Sequence, residues 1–186
     1  MGLRELKKTK TRKMISDLAT RLFIEKGYAE VTTAEIARLA EVSVPTLFNY
    51  FPTKETLVFD EEAEREEKLI AAVTSREPGV SILDALHEHF SSSIALSPEK
   101  LKHFSTFKKL IDTTPELSGY AKQMWMRYEQ SLATVLQKEA ENKIQKVEAE
   151  AIAHFILDSF HRALKTSTPK TSLNTLFKLL KEGWKE

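Results

Sequence analysis

The chain of 186 residues contains no cysteine, only five glycines and six prolines, and carries a net charge of just +1 at neutral pH. Without cysteine there is no disulfide scaffold, no cysteine-ligated zinc site and no thiol nucleophile. The scarcity of glycine excludes a collagen-like repeat, and there is no glycine-rich phosphate loop, nucleophile elbow or HExxH helix. No apolar stretch approaches the roughly 18 to 20 residues of a membrane span. Nor is the basic start followed by the apolar run of a secretory signal, so a cytosolic protein with no membrane partner is expected. Histidines offer no metal pair: His87 and His89 point differently on a helix, and His154 and His161 lie two turns apart. No catalytic residue, metal or cofactor is therefore expected. What remains, 41% apolar and 30% charged residues, suits one or two soluble domains with a real core.

The near-neutral total hides a division. Residues 1–56 hold 10 basic and 7 acidic residues, and the remainder holds 18 and 20. Arg4, Lys7, Lys8, Lys10, Arg12 and Lys13 face only Glu5, which predicts a mobile cationic arm able to find phosphate. From Asp60 to Glu67 the sign reverses, which predicts a solvated helix face turned away from whatever the arm touches.

Apolar residues recur at helical spacing and almost never alternate, so the expected fold is all-α with about nine helices. The first spans about Thr9 to Lys26, with Ile15, Leu18, Ala19, Leu22 and Phe23 on one face, Gly27 at its end and Tyr28 packing the turn. The second opens with Thr32 and Glu35 as a capping box and turns Ile36, Ala37 and Ala40 inward. Ser43 caps the third, with Pro45 in its first turn, and this helix ends near Phe51 and Pro52. A fourth is expected from Thr53 without interruption to about Ser75. Five more follow: Ser81 to Leu96, a Ser97 cap to Ile111, a Thr114 cap to Asn142, Val147 to about Lys165, and Ser172 to Trp184.

Two short helices joined by a tight turn between Val31 and Leu57 form a helix-turn-helix. On the second of them Val44, Leu47 and Phe51 share the core side. Pro45, Thr46, Phe48 and Asn49 face outward, with Tyr50 flanking, and the outward face carries no charge. That suits base edges: Asn can pair with adenine, a Thr methyl can touch the thymine methyl, and a hydroxyl such as that of Tyr50 can reach phosphate. The alternative is that this helix pair docks to another protein through Phe48 and Tyr50.

The stretch Thr33-x-x-Ile36-Ala37-x-x-Ala40-x-Val42-Ser43-x-Pro45-Thr46-Leu47-Phe48-Asn49-Tyr50-Phe51-x-Thr53-Lys54-x-x-Leu57 resembles the DNA-binding domain of the TetR family of bacterial transcriptional repressors. The resemblance covers about a third of the chain. It implies that Thr33, Tyr50 and Lys54 grip phosphates, Lys54 at a helix N-terminus, and that Val44, Pro45, Thr46, Phe48 and Asn49 line the major groove. Lys10 and Lys13 of the arm join them. Many members have glycine at the position of Pro45 and tyrosine at that of Phe48, so neither offers a phosphate bond here. The division implied is a helix-turn-helix domain over residues 1–56 and a ligand-sensing, dimerising domain over 57–186.

The family resemblance also implies a homodimer on a palindromic operator, with the last two helices as its interface. Ile152, Phe155, Ile156, Ser159, Phe160 and Ala163 on one helix and Leu173, Leu176, Phe177 and Leu180 on the other are the candidates. A small, usually hydrophobic effector is implied as well. Phe90, Phe104, Phe107, Met124, Trp125, Tyr128 and His154 are the candidate pocket residues.

Overall fold

Helical spacing and punctuation produce nine α-helices and no strand among the residues described by the computed structural model. Those residues are 2–94, 98–140 and 143–183, with side chains for all but residues 3, 4 and 98–104. The helices are α1 (Leu3–Lys26), α2 (Thr33–Leu39), α3 (Val44–Tyr50), α4 (Glu62–Thr74), α5 (Ile82–Ile94), α6 (Pro98–Thr113), α7 (Pro115–Glu139), α8 (Lys146–Ala163) and α9 (Pro169–Glu182). The expected Ser97 cap, and the expected ends at Leu96, Asn142 and Trp184, lie outside the described residues.

Two boundaries differ from the sequence expectation for identifiable reasons. α1 begins at Leu3, so the basic segment is helix rather than a mobile arm. It is rich in Leu, Lys, Arg and Glu and free of proline, which gives the backbone no reason to leave the helix. The long helix expected from Thr53 to Ser75 is broken. A single 3-10 turn, Glu55–Leu57, is followed by a non-helical link before α4 starts at Glu62. Carbonyls that a continuous helix would use internally are taken by α1 instead. Ser16 Oγ donates to Leu57 O at 2.8 Å, and Arg12 Nη2 donates to Asp60 O at 3.2 Å. Leu57 and Val58 are buried, so the break delivers two consecutive side chains to the core.

Packing divides the chain into two compact units, Met1–Ala63 with Leu101–Lys122, and Glu64–Lys100 with Gln123–Glu186. This partition is not the division after residue 56. Val58 joins the core of the first unit, Phe59 packs against that core, and residues 101–122 return to the same unit, where Leu110 and Leu117 are buried and Phe107 and Ile111 pack alongside. Phe59 and Tyr120 stack at 5.1 Å, and the Tyr120 hydroxyl donates to Glu62 at 2.7 Å. In the second unit α9 packs on α8 and on α5. Its core includes Leu86, Leu132, Ala153, Ile156, Leu173 and Phe177.

Candidate nucleic-acid interface

The first unit presents a short, firmly anchored helix. Ile15, Ala19 and Phe23 of α1, Ile36 and Ala37 of α2, and Leu47 and Phe51 around α3 are at most 1% exposed. Each large apolar side chain buried there contributes about 1.5–3 kcal/mol. Thr32 Oγ1 accepts the Glu35 N–H at 3.1 Å and caps α2. The Glu35 carboxylate does not complete a capping box; it takes Lys26 Nζ at 2.6 Å.

The turn between α2 and α3 closes with two bonds that sequence spacing did not reveal. The Val42 N–H reaches Ala37 O at 2.9 Å and the Glu41 N–H reaches Arg38 O at 3.2 Å. This is the Schellman pattern, whose left-handed residue is usually glycine. Here it is Glu41, at φ 55°. Ser43 Oγ then accepts the Thr46 N–H at 3.1 Å, capping α3, and also meets Thr46 Oγ1 at 2.7 Å.

Of the residues expected to face outward, Pro45 and Asn49 are exposed, Phe48 is 42% exposed, and Thr46 and Tyr50 are half-buried. Thr33, at the start of α2, is half-buried too. Val44, placed with the core by the helical wheel, is instead 37% exposed. As the first residue of a helix whose inward stripe starts at Leu47, it lies beyond the reach of the core. The α3 surface therefore shows Val44, Pro45, Phe48 and Asn49 and no charge.

The cations divide into two kinds. Lys7, Lys8, Lys10 and Lys13 are exposed on α1, and Lys13 pairs with Asp17 at 3.1 Å, a bond that raises its pKa. Arg12, counted in the sequence with the arm, turns inward. It donates to the Tyr50 carbonyl at the end of α3 and to Asp60 O, and its Cζ lies 4.5 Å from the Phe51 ring centroid.

Lys54 also turns inward. Its ammonium donates to Tyr28 O and sits 4.1 Å from the Tyr28 ring centroid and 5.3 Å from that of Phe23. Burial pulls its pKa down, against the pull of Glu116 and Glu55. It precedes a three-residue 3-10 turn, not the start of α4, so the helix N-terminus expected beside it is absent. Its neighbours share the strain of burial. Burial pushes the Tyr28 hydroxyl up, and the hydroxyl donates to Glu55 at 3.0 Å. Burial also pushes the Glu55 carboxyl up, but bonds from Thr53, its own backbone and Tyr28, with the Lys54 charge, outweigh this and hold it low.

The second unit gathers only part of the expected pocket. Phe90, Met124 and Tyr128 are buried. Phe90 stacks on Phe160 at 4.3 Å, and Trp125 packs on Tyr128 at 5.6 Å and His161 at 5.8 Å. These rings fill one another's space. Phe107 belongs to the first unit, where it packs on that core, and the Phe104 side chain lies outside the described residues. His154 is exposed and meets Glu129 at 2.9 Å.

The open apolar pocket in this unit, about 390 Å³, is lined by other residues. Leu136 of α7 and Ala140 just past its end, Ile152, Phe155 and Ile156 of α8, and Leu180 of α9 form most of its wall. Four of those were assigned from the sequence to the dimer face. Of the rest of that face, Ser159, Ala163, Leu173 and Phe177 are buried within their own subunit, as is Ile156 at the base of the pocket, so none of these five presents a surface to a partner. Leu176, Leu180 and Phe160 are half-buried. Outward on α8 and α9 lie Val147, Ile152, Phe155 and Leu179, with Phe155 57% exposed.

Among the described residues no group of three or more His, Asp or Glu side chains is placed to hold a metal ion. No helix among them is long and apolar enough to cross a membrane.

A capped helix pair with an uncharged outer helix, among described residues that are helical throughout their regular elements, defines a helix-turn-helix. Residues 15–60, about a quarter of the chain, match the family model of bacterial regulatory proteins, tetR family, so this helix-turn-helix segment is of that family's type. The HTH-type transcriptional regulator TcmR of Streptomyces glaucescens is 33% identical over 89 residues, which span 48% of this chain and 39% of that relative. The structure of Salmonella enterica GusR matches over 92% of this chain and 94% of its own, with a TM-score of 0.62 at 20% identity, a likeness of fold. Thermus thermophilus FadR, a TetR family transcriptional repressor solved with lauroyl-CoA, matches over 94% and 95% with a TM-score of 0.56 at 25% identity.

Proposed function

We propose that this regulator is a ligand-responsive repressor that binds a palindromic operator as a homodimer and is released by a small, apolar effector. The observation that carries the reading is α3, a helix capped at Ser43, pinned through Leu47 and Phe51, and exposing Val44, Pro45, Phe48 and Asn49 without a single charge. Such a face fits the major groove, while the exposed lysines of α1 and the Thr33 and Tyr50 hydroxyls supply phosphate contacts. Two-fold pairing through Val147, Ile152, Phe155 and Leu179 would present two recognition helices to half-sites about one helical turn apart.

The effector binds the second unit. The lauroyl-CoA held by FadR supports a ligand with an apolar portion, and the 390 Å³ apolar pocket supports the capacity to take one. Release requires the effector to prefer the subunit arrangement that DNA does not.

Selection of bound duplexes from a random pool, followed by titration with salt, tests this. Log affinity should fall linearly with log salt, and the recovered sequences should be inverted repeats. Asn49→Ala should relax base preference at one position per half-site with a modest loss of affinity. A salt-independent complex, or recovered sequences without symmetry, would refute the reading.

A further inference from the structure

We infer that α3 reads thymine C5-methyl groups, with Asn49 on one adenine, so that the operator half-site beneath it is built of A·T pairs; this rests on the DNA-binding reading of α3. Each base pair shows the major groove a different set of groups. Guanine offers two acceptors, best met by Arg or Lys, and cytosine a donor, best met by Asp or Glu. No such residue stands on α3. The nearest cations are engaged elsewhere: Arg12 on the Tyr50 and Asp60 carbonyls, Lys54 on the Tyr28 carbonyl and ring. Arg38 is exposed on α2, the helix that crosses the sugar-phosphate backbone in this motif.

What α3 does present is apolar. Val44 is 37% exposed and Phe48 42%, and Pro45 is exposed beside them. The Thr46 hydroxyl is engaged at 2.7 Å with Ser43 Oγ, so the group of Thr46 left free of the cap is its methyl. The only apolar group in the floor of the major groove is the methyl of thymine. Setting Phe48 or Pro45 over a G·C edge would strip water from guanine O6 and N7 and from cytosine N4 without replacing its hydrogen bonds, which is unfavourable. Asn49 is the exception. It is exposed, and its amide can donate and accept at once, as the adenine N6/N7 edge requires.

The test uses the full chain and duplexes recovered from a random-sequence pool, resynthesised with deoxyuridine in place of thymidine. Uracil keeps every hydrogen-bonding group and phosphate and loses only the methyl. Each methyl that α3 covers should cost about fourfold in affinity, the worth of one buried methylene-sized group, with no change in salt dependence. Because Phe48 is exposed, Phe48→Ala keeps the fold and should erase the sensitivity at one position per half-site. Recovered duplexes that bind equally well with uracil, or that carry G·C pairs under α3, overturn this inference and leave the DNA-binding reading standing. Failure to retain any duplex at low salt overturns both.

Discussion

Arg12→Lys separates the two roles that a basic residue near the start of this chain can play. If Arg12 serves to attract phosphate, lysine replaces it at no cost, since both carry one positive charge. The structure gives it different work. One guanidinium spans the Tyr50 carbonyl, at the end of α3, and the Asp60 carbonyl, just before α4, while lying on the Phe51 ring. An ammonium is a point donor and cannot hold two carbonyls from one planar fork. Lysine would keep one bond and lose the other, worth about 1.5–3 kcal/mol when the donor is charged, along with about 0.5–1 kcal/mol of ring contact at a half-exposed site. Allowing for partial rehydration of the freed carbonyl, the net loss is about 2 kcal/mol. That should lower the melting temperature by roughly 4–8 °C for a chain of this size. Circular dichroism on heating reads the loss, and a salt titration of the DNA complex provides the control. The salt slope should not move, whereas Lys10→Ala should reduce it by about 0.9 for each phosphate left without its cation. Unchanged stability of Arg12→Lys, with a shallower salt slope for Arg12→Ala, would return Arg12 to the phosphate-binding set.

Three other outcomes follow from the geometry. Glu41→Gly should stabilise the protein by about 1 kcal/mol, because glycine adopts the left-handed turn position without the penalty borne by Glu41 at φ 55°; a loss of stability in denaturant unfolding would mean the carboxylate has a compensating role. Burial, with the Lys68 charge adding, holds the His89 imidazole below its usual value. The folded protein thus resists a proton that the unfolded chain accepts, so stability is full above about pH 6.5 and declines as the pH falls below it. His89→Gln should flatten that decline between about pH 7.5 and 5.5, and an identical pH profile would exclude His89 as its source. Phe155→Glu, at a position 57% exposed, should leave the fold intact and dissociate the proposed homodimer in sedimentation velocity. A dimeric variant would place the interface elsewhere.

The first unit was legible in the sequence wherever short-range rules govern. Thr32 and Ser43 cap their helices as their positions imply, and Ile15, Ala19, Leu22 and Phe23 are buried at helical spacing. What could not be read is set by partners far away in the chain. Nothing local marks Val58 to Glu61 as a break. It exists because Ser16 and Arg12, more than 40 residues earlier, take the carbonyls of Leu57 and Asp60. Lys54 illustrates the same limit: its type and position fit a phosphate contact, while a backbone carbonyl and two rings bring it inward. In α8 and α9, periodicity located the apolar faces but could not divide them. Ile156, Ala163, Leu173 and Phe177 serve their own subunit, and Ile152, Phe155 and Leu179 face outward. Both sets fall at helical spacings on α8, and only the packing of α9 on α8 and α5 tells them apart.

The placement of charge in the first unit carries a consequence for how binding strength and sequence choice are built. Exposed lysines stand on α1, and α3 has none. On the proposed reading, phosphate attraction by α1 is blind to sequence and acts through counterion release, so it would set affinity and its dependence on salt. The contacts proposed for α3 are apolar or made by a neutral amide, so they would be nearly indifferent to salt and discriminate by fit. Raising the salt should then weaken specific and non-specific complexes in parallel while their ratio holds. Arg12 joins the two functions mechanically: it is rooted in α1 and holds the last carbonyl of α3. A change that loosens this clamp would lower discrimination before it lowered the attraction to DNA, since the lysines keep their charges whether or not α3 is seated.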